Sequence, residues 1–168
     1  MASLIMDDES EFWLFGYGED HRGTPENPGR VVTLIERLYW NTLDETQSLQ
    51  DDKVWGVAYR IKAPRVTEVR EYLDIREING YSIHQTLFHS KEVGKSMRVF
   101  VYIGTPSNPQ FTGPQQPDLL AEIIHKSIGP SGSNIEYLFC LEEALDRLNP
   151  PLSRDAHVTQ LANLIRQL

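Results

Sequence analysis

The sequence has a single cysteine, Cys140, no run of basic residues and no long apolar segment. One thiol cannot form an internal disulfide, so the chain suits a reducing compartment. Cys140 falls in an apolar helical pattern with Ile135, Leu138, Phe139 and Leu141, which predicts a buried, inert thiol rather than a nucleophile. The opening MASLIMDDESEF turns acidic too soon for a signal h-region, and no stretch approaches the length of a membrane span. Against 16 Lys and Arg stand 24 Asp and Glu, a formal charge of -8. Nucleic acid or an acidic membrane would require clustered positive charge, so neither is expected as a partner. The expected setting is the cytoplasm.

Metal and nucleophile signatures are also lacking. The five histidines show no ligand spacing, and His84 and His89, five apart in a predicted strand, fall on opposite faces. Neither a GxSxG elbow nor a Cys–His signature accompanies the serines and the cysteine. No metal and no cofactor are expected.

What is present, 168 residues of which 40% are apolar, can bury one sizeable core. Residues 1–11 read as a disordered acidic lead and 12–168 as a single domain. Phe12-Trp13-Leu14-Phe15 predicts a buried strand halted by the turn Gly16-Tyr17-Gly18. The segments 30–36 (RVVTLIE) and 53–61 (KVWGVAYRI) predict strands from their β-branched and aromatic content, with a polar loop over 37–52. Pro64 opens a helical pattern through Val66, Val69, Tyr72 and Leu73 that Asn79-Gly80 stops. Strands follow near 83–89 and 97–104, then a Pro-rich loop over 105–117. Three helices close the chain. The first, over 118–128, has Leu119, Leu120, Ile123 and Ile124 on one face and stops at Gly129-Pro130. The second spans 135–148 with Asn134 as N-cap, and the third has Ser153 as cap before Val158, Leu161, Ala162, Ile165 and Leu168. Strands early and helices late describe an α+β domain, a mostly antiparallel sheet or small barrel covered by helices.

Within this plan Glu77 stands one turn beyond Leu73, at the edge of the apolar stripe and in the last turn of its helix. The helix dipole disfavours negative charge there, and partial burial would raise the pKa of its carboxyl toward that of a useful base. A solvated Glu paired with a neighbouring Arg has the same spacing. Gly16-Tyr17-Gly18 can turn backbone N–H groups toward an anion, or simply turn the chain.

Six segments in order are more specific than either feature: FGYG at 15–18, DHRGTPENPGRVVTL at 20–34, VWGVAYR at 54–60, YLDIREINGY at 72–81, YIGT at 102–105 and GPSGSNIEYLF at 129–139. Together they resemble the ChaC-like γ-glutamylcyclotransferases over nearly the whole chain after residue 12. The resemblance implies a small β-barrel with flanking helices and cleavage of glutathione to 5-oxoproline and cysteinylglycine, without metal or cofactor. It further implies that Glu77, in step with Arg76, Gly80 and Tyr81, is the catalytic acid/base. Gly16, Tyr17 and Gly18 would hold the γ-glutamyl group through backbone contacts. Tyr137, in the EYLF segment, would position substrate; a half-buried core tyrosine with a solvated hydroxyl is the bland alternative. A monomer is expected.

The chain departs from the family pattern at one place. The glycine turn of the family continues as Ser-Leu and further strands, whereas Gly18 here runs through Glu19 directly into Asp20-His21-Arg22-Gly23. About thirty residues are missing by that comparison, enough for several strands of ordinary length. A barrel would be left incomplete, with weak or absent activity and low stability. Two other readings therefore stand beside glutathione cleavage: a catalytically silent member that binds another protein or a γ-glutamyl compound, and a cyclotransferase acting on other γ-glutamyl amines.

Overall fold

The computed structural model describes residues 11–16, 22–43, 53–76, 80–90, 94, 96–148 and 151–168, and all their side chains except those of 74–76. The acidic lead before Glu11, Tyr17, Gly18 and Glu77 lie outside the described residues. The chain divides into two compact units, one drawn from Met1–Gly16, Leu34–Leu43 and Val57–Thr112, the other from Tyr17–Thr33, Asp44–Gly56 and Gly113–Leu168.

The first unit is an open four-stranded sheet with a helix on one face. Strand β1 (Phe12–Gly16) pairs antiparallel with β2 (Val57–Ile61), Phe12 opposite Ile61 and Gly16 opposite Val57. On its other side β1 runs parallel to β4 (Ser96–Gly104), Leu14 beside Phe100. Strand β3 (Tyr81–His89) is antiparallel to β4 from Tyr81 opposite Gly104 to His89 opposite Ser96, giving the order β2-β1-β4-β3. The short helix α1 (Arg37–Trp40) falls inside the segment predicted as a loop.

Helix α2 (Val66–Arg76) follows a 3-10 turn, Ala63–Arg65, in which Pro64 takes a first-turn position where its missing N–H costs nothing. Alternation along the strands puts Phe12, Leu14, Ile61, Ile83 and Phe100 on the face that α2 covers, and Val66, wholly buried, packs among them with Val69. The rings of Phe12 and Phe100 meet edge to face at 5.7 Å. Tyr72, predicted in the same stripe, is 56% exposed. Of the stripe, Val66 and Val69 are the residues that pack in this core.

The segment 30–36 is not the predicted strand; its one ladder contact is an isolated bridge from Ile35 to Gly104. Its backbone groups are taken elsewhere. The Arg30 N–H donates to Asn134 Oδ1 at 2.6 Å, the Val32 N–H to the Tyr137 hydroxyl at 3.1 Å, and the Leu34 carbonyl accepts from the Gly104 N–H at 2.7 Å. Backbone satisfied in this way needs no neighbouring strand. The strand predicted from Lys53 begins at Val57.

The second unit contains three helices, α3 (Pro117–Lys126), α4 (Asn134–Leu148) and α5 (Ala156–Ile165), and a two-residue-per-strand hairpin, β5 (Ile128–Gly129) with β6 (Gly132–Ser133). Ala121, Ile124, Leu138, Val158, Leu161, Ala162 and Ile165 form its core, so α5 is buried along the predicted spacing up to Ile165, with Leu168 exposed. The face of α3 is rotated from the predicted one: Ala121 and Ile124 are buried and Leu119 is exposed. Helix α3 stops at Lys126, where Ser127 turns its N–H and hydroxyl back onto the Ile123 carbonyl, before the predicted Gly129-Pro130 stop. Both predicted N-caps are replaced. Asp155, not Ser153, accepts from the Val158 N–H at 2.9 Å, while buried Ser153 donates to the Leu145 carbonyl. Cys140 is exposed, which overturns its predicted burial.

Candidate active site

The helix that leads to Glu77 ends at Arg76, and the chain is next described at Gly80, whose φ is +85°. That conformation favours glycine, and space demands it as well: a Cβ on Gly80 would stand 2.7 to 2.8 Å from Cγ, Cα and Cβ of Asn108. On the other side of the same residue, the Gly80 carbonyl accepts from the Thr105 N–H at 2.9 Å and from the Thr105 hydroxyl at 3.1 Å. Thr105 directly follows β4, so these bonds continue the β3–β4 ladder one step past Tyr81 and Gly104. Gly104 also donates to Leu34. The corner at 104–105 thus brings Leu34 and Gly80 to the end of YIGT, residues from three of the six segments.

The second unit brings together residues of two further segments, 20–34 and 129–139. Loop 22–30 closes on itself where Gly23 and Gly29 meet: a Cβ on Gly23 would lie 2.0 Å from the Gly29 nitrogen. Asn134, with no exposed surface, uses its whole amide on one residue of this loop, accepting from the Arg30 N–H at 2.6 Å and donating to the Arg30 carbonyl at 2.7 Å. It is therefore a strand-like partner for Arg30 rather than the predicted cap; Ser133 Oγ instead accepts from the Ile135 N–H at 3.2 Å. Arg22 donates to the Ser133 carbonyl at 3.2 Å and to the Glu136 carboxylate at 3.1 Å, with its guanidinium carbon 5.9 Å from the centre of the Tyr137 ring. The Arg30 guanidinium donates to Gln115 Oε1 at 2.8 Å and to the carbonyls of Pro28 and Gly29, and burial lowers its pKa.

Of the five residues predicted to serve the reaction, two are described. Gly16 closes β1 opposite Val57, and the Tyr59 ring comes within 3.1 Å of where a Gly16 Cβ would stand, so no larger residue fits without moving that ring. Tyr137 is 8% exposed and its hydroxyl is engaged by Val32, unlike the solvated hydroxyl of the bland reading. Gly16 belongs to the first unit and Tyr137 to the second. Sequence reasoning gave no role to Arg22, Arg30, Thr105 or Asn108, although all but Asn108 fall inside the six segments, and it gave the Asn134 side chain the role of a cap rather than of a partner for Arg30.

Other chemistry has little footing among the described residues. Among the described residues no group of three or more His, Cys, Asp or Glu could hold a metal ion. Ser82 Oγ lies 2.5 Å from His84 Nε2 on one face of β3, but among the described residues no carboxylate orients that imidazole as a nucleophilic triad requires. No helix among them is long and apolar enough to cross a membrane.

An α+β chain with these segments has the architecture of the γ-glutamylcyclotransferases. It is similar to a crystallised glutathione-specific γ-glutamylcyclotransferase from yeast, with a TM-score of 0.71 and 32% identity over 94% of this chain and 99% of that one. In sequence it is 39% identical over 160 residues to the glutathione-specific γ-glutamylcyclotransferase of Schizosaccharomyces pombe, covering 93% of this chain and 77% of the relative. It is 41% identical over 165 residues to that of Saccharomyces cerevisiae, covering 77% of this chain and 70% of the relative. The model of the ChaC-like protein family matches residues 3–168, and the chain belongs to that family.

Proposed function

We propose that this chain is a glutathione-specific γ-glutamylcyclotransferase, releasing 5-oxoproline and cysteinylglycine with Glu77 as its acid/base. The observation that carries the reading is similarity over 93% of the chain, at 39% identity, to a relative named as a glutathione-specific γ-glutamylcyclotransferase. Gly16, Tyr17 and Gly18 hold the γ-glutamyl group in this reading, and Tyr137, whose hydroxyl accepts from the Val32 N–H, positions substrate. The substrate's α-amine attacks its own γ-carbonyl, the C–N bond of the five-membered ring forms, and the bond to the cysteinyl nitrogen breaks. Holding both groups in one folded molecule supplies roughly 7–11 kcal/mol of the barrier reduction through proximity. Glu77 takes the proton that the attacking nitrogen must lose and delivers it to the departing amine, so no proton is gained or lost overall. Backbone N–H groups of the glycine turn stabilise the oxyanion.

The same reading has one folded domain over 12–168 acting as a monomer in the cytoplasm, a reducing setting that suits a chain with one cysteine. The direct passage from Gly18 through Glu19 to Asp20 is expected to make turnover slower than in the yeast relatives, because it leaves out the stretch that follows the family's glycine turn and adds a negative charge to a chain whose substrate carries two carboxylates. Incubation with glutathione is expected to yield 5-oxoproline and cysteinylglycine one for one. Free glutamate in place of 5-oxoproline, or no cleavage at all, would remove the proposal.

A further inference from the structure

We propose that Thr105 is a positioning residue for Glu77: its hydroxyl and amide hold the Gly80 carbonyl, and with Asn108 packed behind Gly80 they fix the point at which the Glu77 segment rejoins the sheet. The inference rests on the reading of Glu77 as the proton carrier and adds to it the group that sets its place.

Gly80 is constrained from two sides. Its carbonyl accepts the two bonds from Thr105, at 2.9 and 3.1 Å, while its Cα faces the backbone of Asn108 so closely that not even a methyl group fits. Asn108 cannot yield easily, being 6% exposed and tied by its own N–H to the Thr105 carbonyl at 3.0 Å, by its Oδ1 to the Gln110 N–H at 2.8 Å, and by its carbonyl to the Phe111 N–H at 3.0 Å. Threonine and asparagine are therefore two halves of one clamp on a single peptide unit.

Glu77 is three residues before Gly80 and one after the end of α2. Three residues reach at most about 11 Å fully extended, so the place of Gly80 bounds where Glu77 can stand. Misplacement of a reacting group by about 1 Å can cost on the order of 100-fold in rate. The β3–β4 ladder needs no Thr105 hydroxyl, since its nine pairs from Tyr81 to His89 are complete without it. The hydroxyl thus serves the peptide before the strand more than the strand itself.

The test compares kcat and KM for glutathione in Thr105→Val, Thr105→Ser, Ser107→Ala and Glu77→Gln, each at a temperature well below its measured unfolding midpoint. Thr105→Val is expected to lose about tenfold or more in kcat with KM nearly unchanged, and Thr105→Ser to stay within about twofold of the parent. Ser107 Oγ lies 3.3 Å from Thr105 Oγ but takes no part in holding the Gly80 carbonyl, so its alanine variant is expected to match the parent. Should valine prevent folding, Thr105→Ala set against Thr105→Ser isolates the same hydroxyl. Unchanged kcat in the variants lacking the hydroxyl, or an equal loss in Thr105→Ser, would overturn the inference provided Glu77→Gln has lost turnover. If Glu77→Gln keeps its turnover, the reading of Glu77 fails instead.

Discussion

Glu77→Gln is expected to lower glutathione turnover by roughly 10²–10⁴-fold, the range that general acid–base catalysis supplies, with KM little changed. The amide is close in size to the carboxylate and can still form hydrogen bonds, but it cannot accept and return a proton. Ring closure demands that transfer twice, since a protonated α-amine has no lone pair to attack with and the cysteinyl nitrogen is a poor leaving group until it gains a proton. Proximity remains in the variant, so some rate above the uncatalysed reaction should persist. Equal kcat in parent and variant, from purified proteins with the same unfolding midpoint, would take Glu77 out of the reaction.

Asn134→Ala should be the most costly single change in the second unit. The alanine strands the N–H and carbonyl of Arg30 next to a site with no exposed surface, and each buried unsatisfied group costs about 1–3 kcal/mol. The expected loss is roughly 2–4 kcal/mol, which lowers the midpoint of a chain this size by about 4–16 °C. Asn134→Asp keeps the acceptor for the Arg30 N–H but loses the donor to its carbonyl and introduces a buried charge, so it should not rescue. A midpoint within about 2 °C of the parent, followed by circular dichroism, would mean that water replaces the amide without penalty.

Elements carried by hydrophobic periodicity were legible in the sequence. The run at 12–15, the strands near 83–89 and 97–104 and the C-terminal helices all occur, with ends displaced by a few residues at most where helix or strand propensity decides them. Segment 30–36 misled because its β-branched residues describe an extended backbone without saying what pairs with it; Asn134 and Tyr137, more than a hundred positions away, take the hydrogen bonds a strand would have made. Caps were misjudged for a related reason. Asn134 has the composition of an N-cap, yet its amide is claimed by Arg30, and Ser153 is claimed by the Leu145 carbonyl two residues before Asp155 does the capping. Cys140 shows the limit of a helical pattern in which apolar residues occupy both sides: periodicity alone did not tell which side faces out.

At the candidate site the motif strings drew attention to the right stretches without revealing their contacts. Gly80 was legible as a stop, but that it is backed by Asn108 and gripped by Thr105 depends on the turn after β4, which no local pattern encodes. Likewise Arg30 read as the first residue of a strand, and Arg22 had no assigned contact, whereas the structure makes them partners of the 129–137 segment and of the loop's own carbonyls.

The central claim, that the substrate's own amine is the nucleophile, is tested most directly by offering the chain glutathione and its α-N-acetyl derivative side by side and identifying every product. Glutathione should give 5-oxoproline and cysteinylglycine, and the acetylated tripeptide should remain intact, because its nitrogen no longer has a free pair to close the ring. Release of cysteinylglycine together with N-acetylglutamate from the blocked substrate would show attack by water and contradict cyclisation as the route of cleavage.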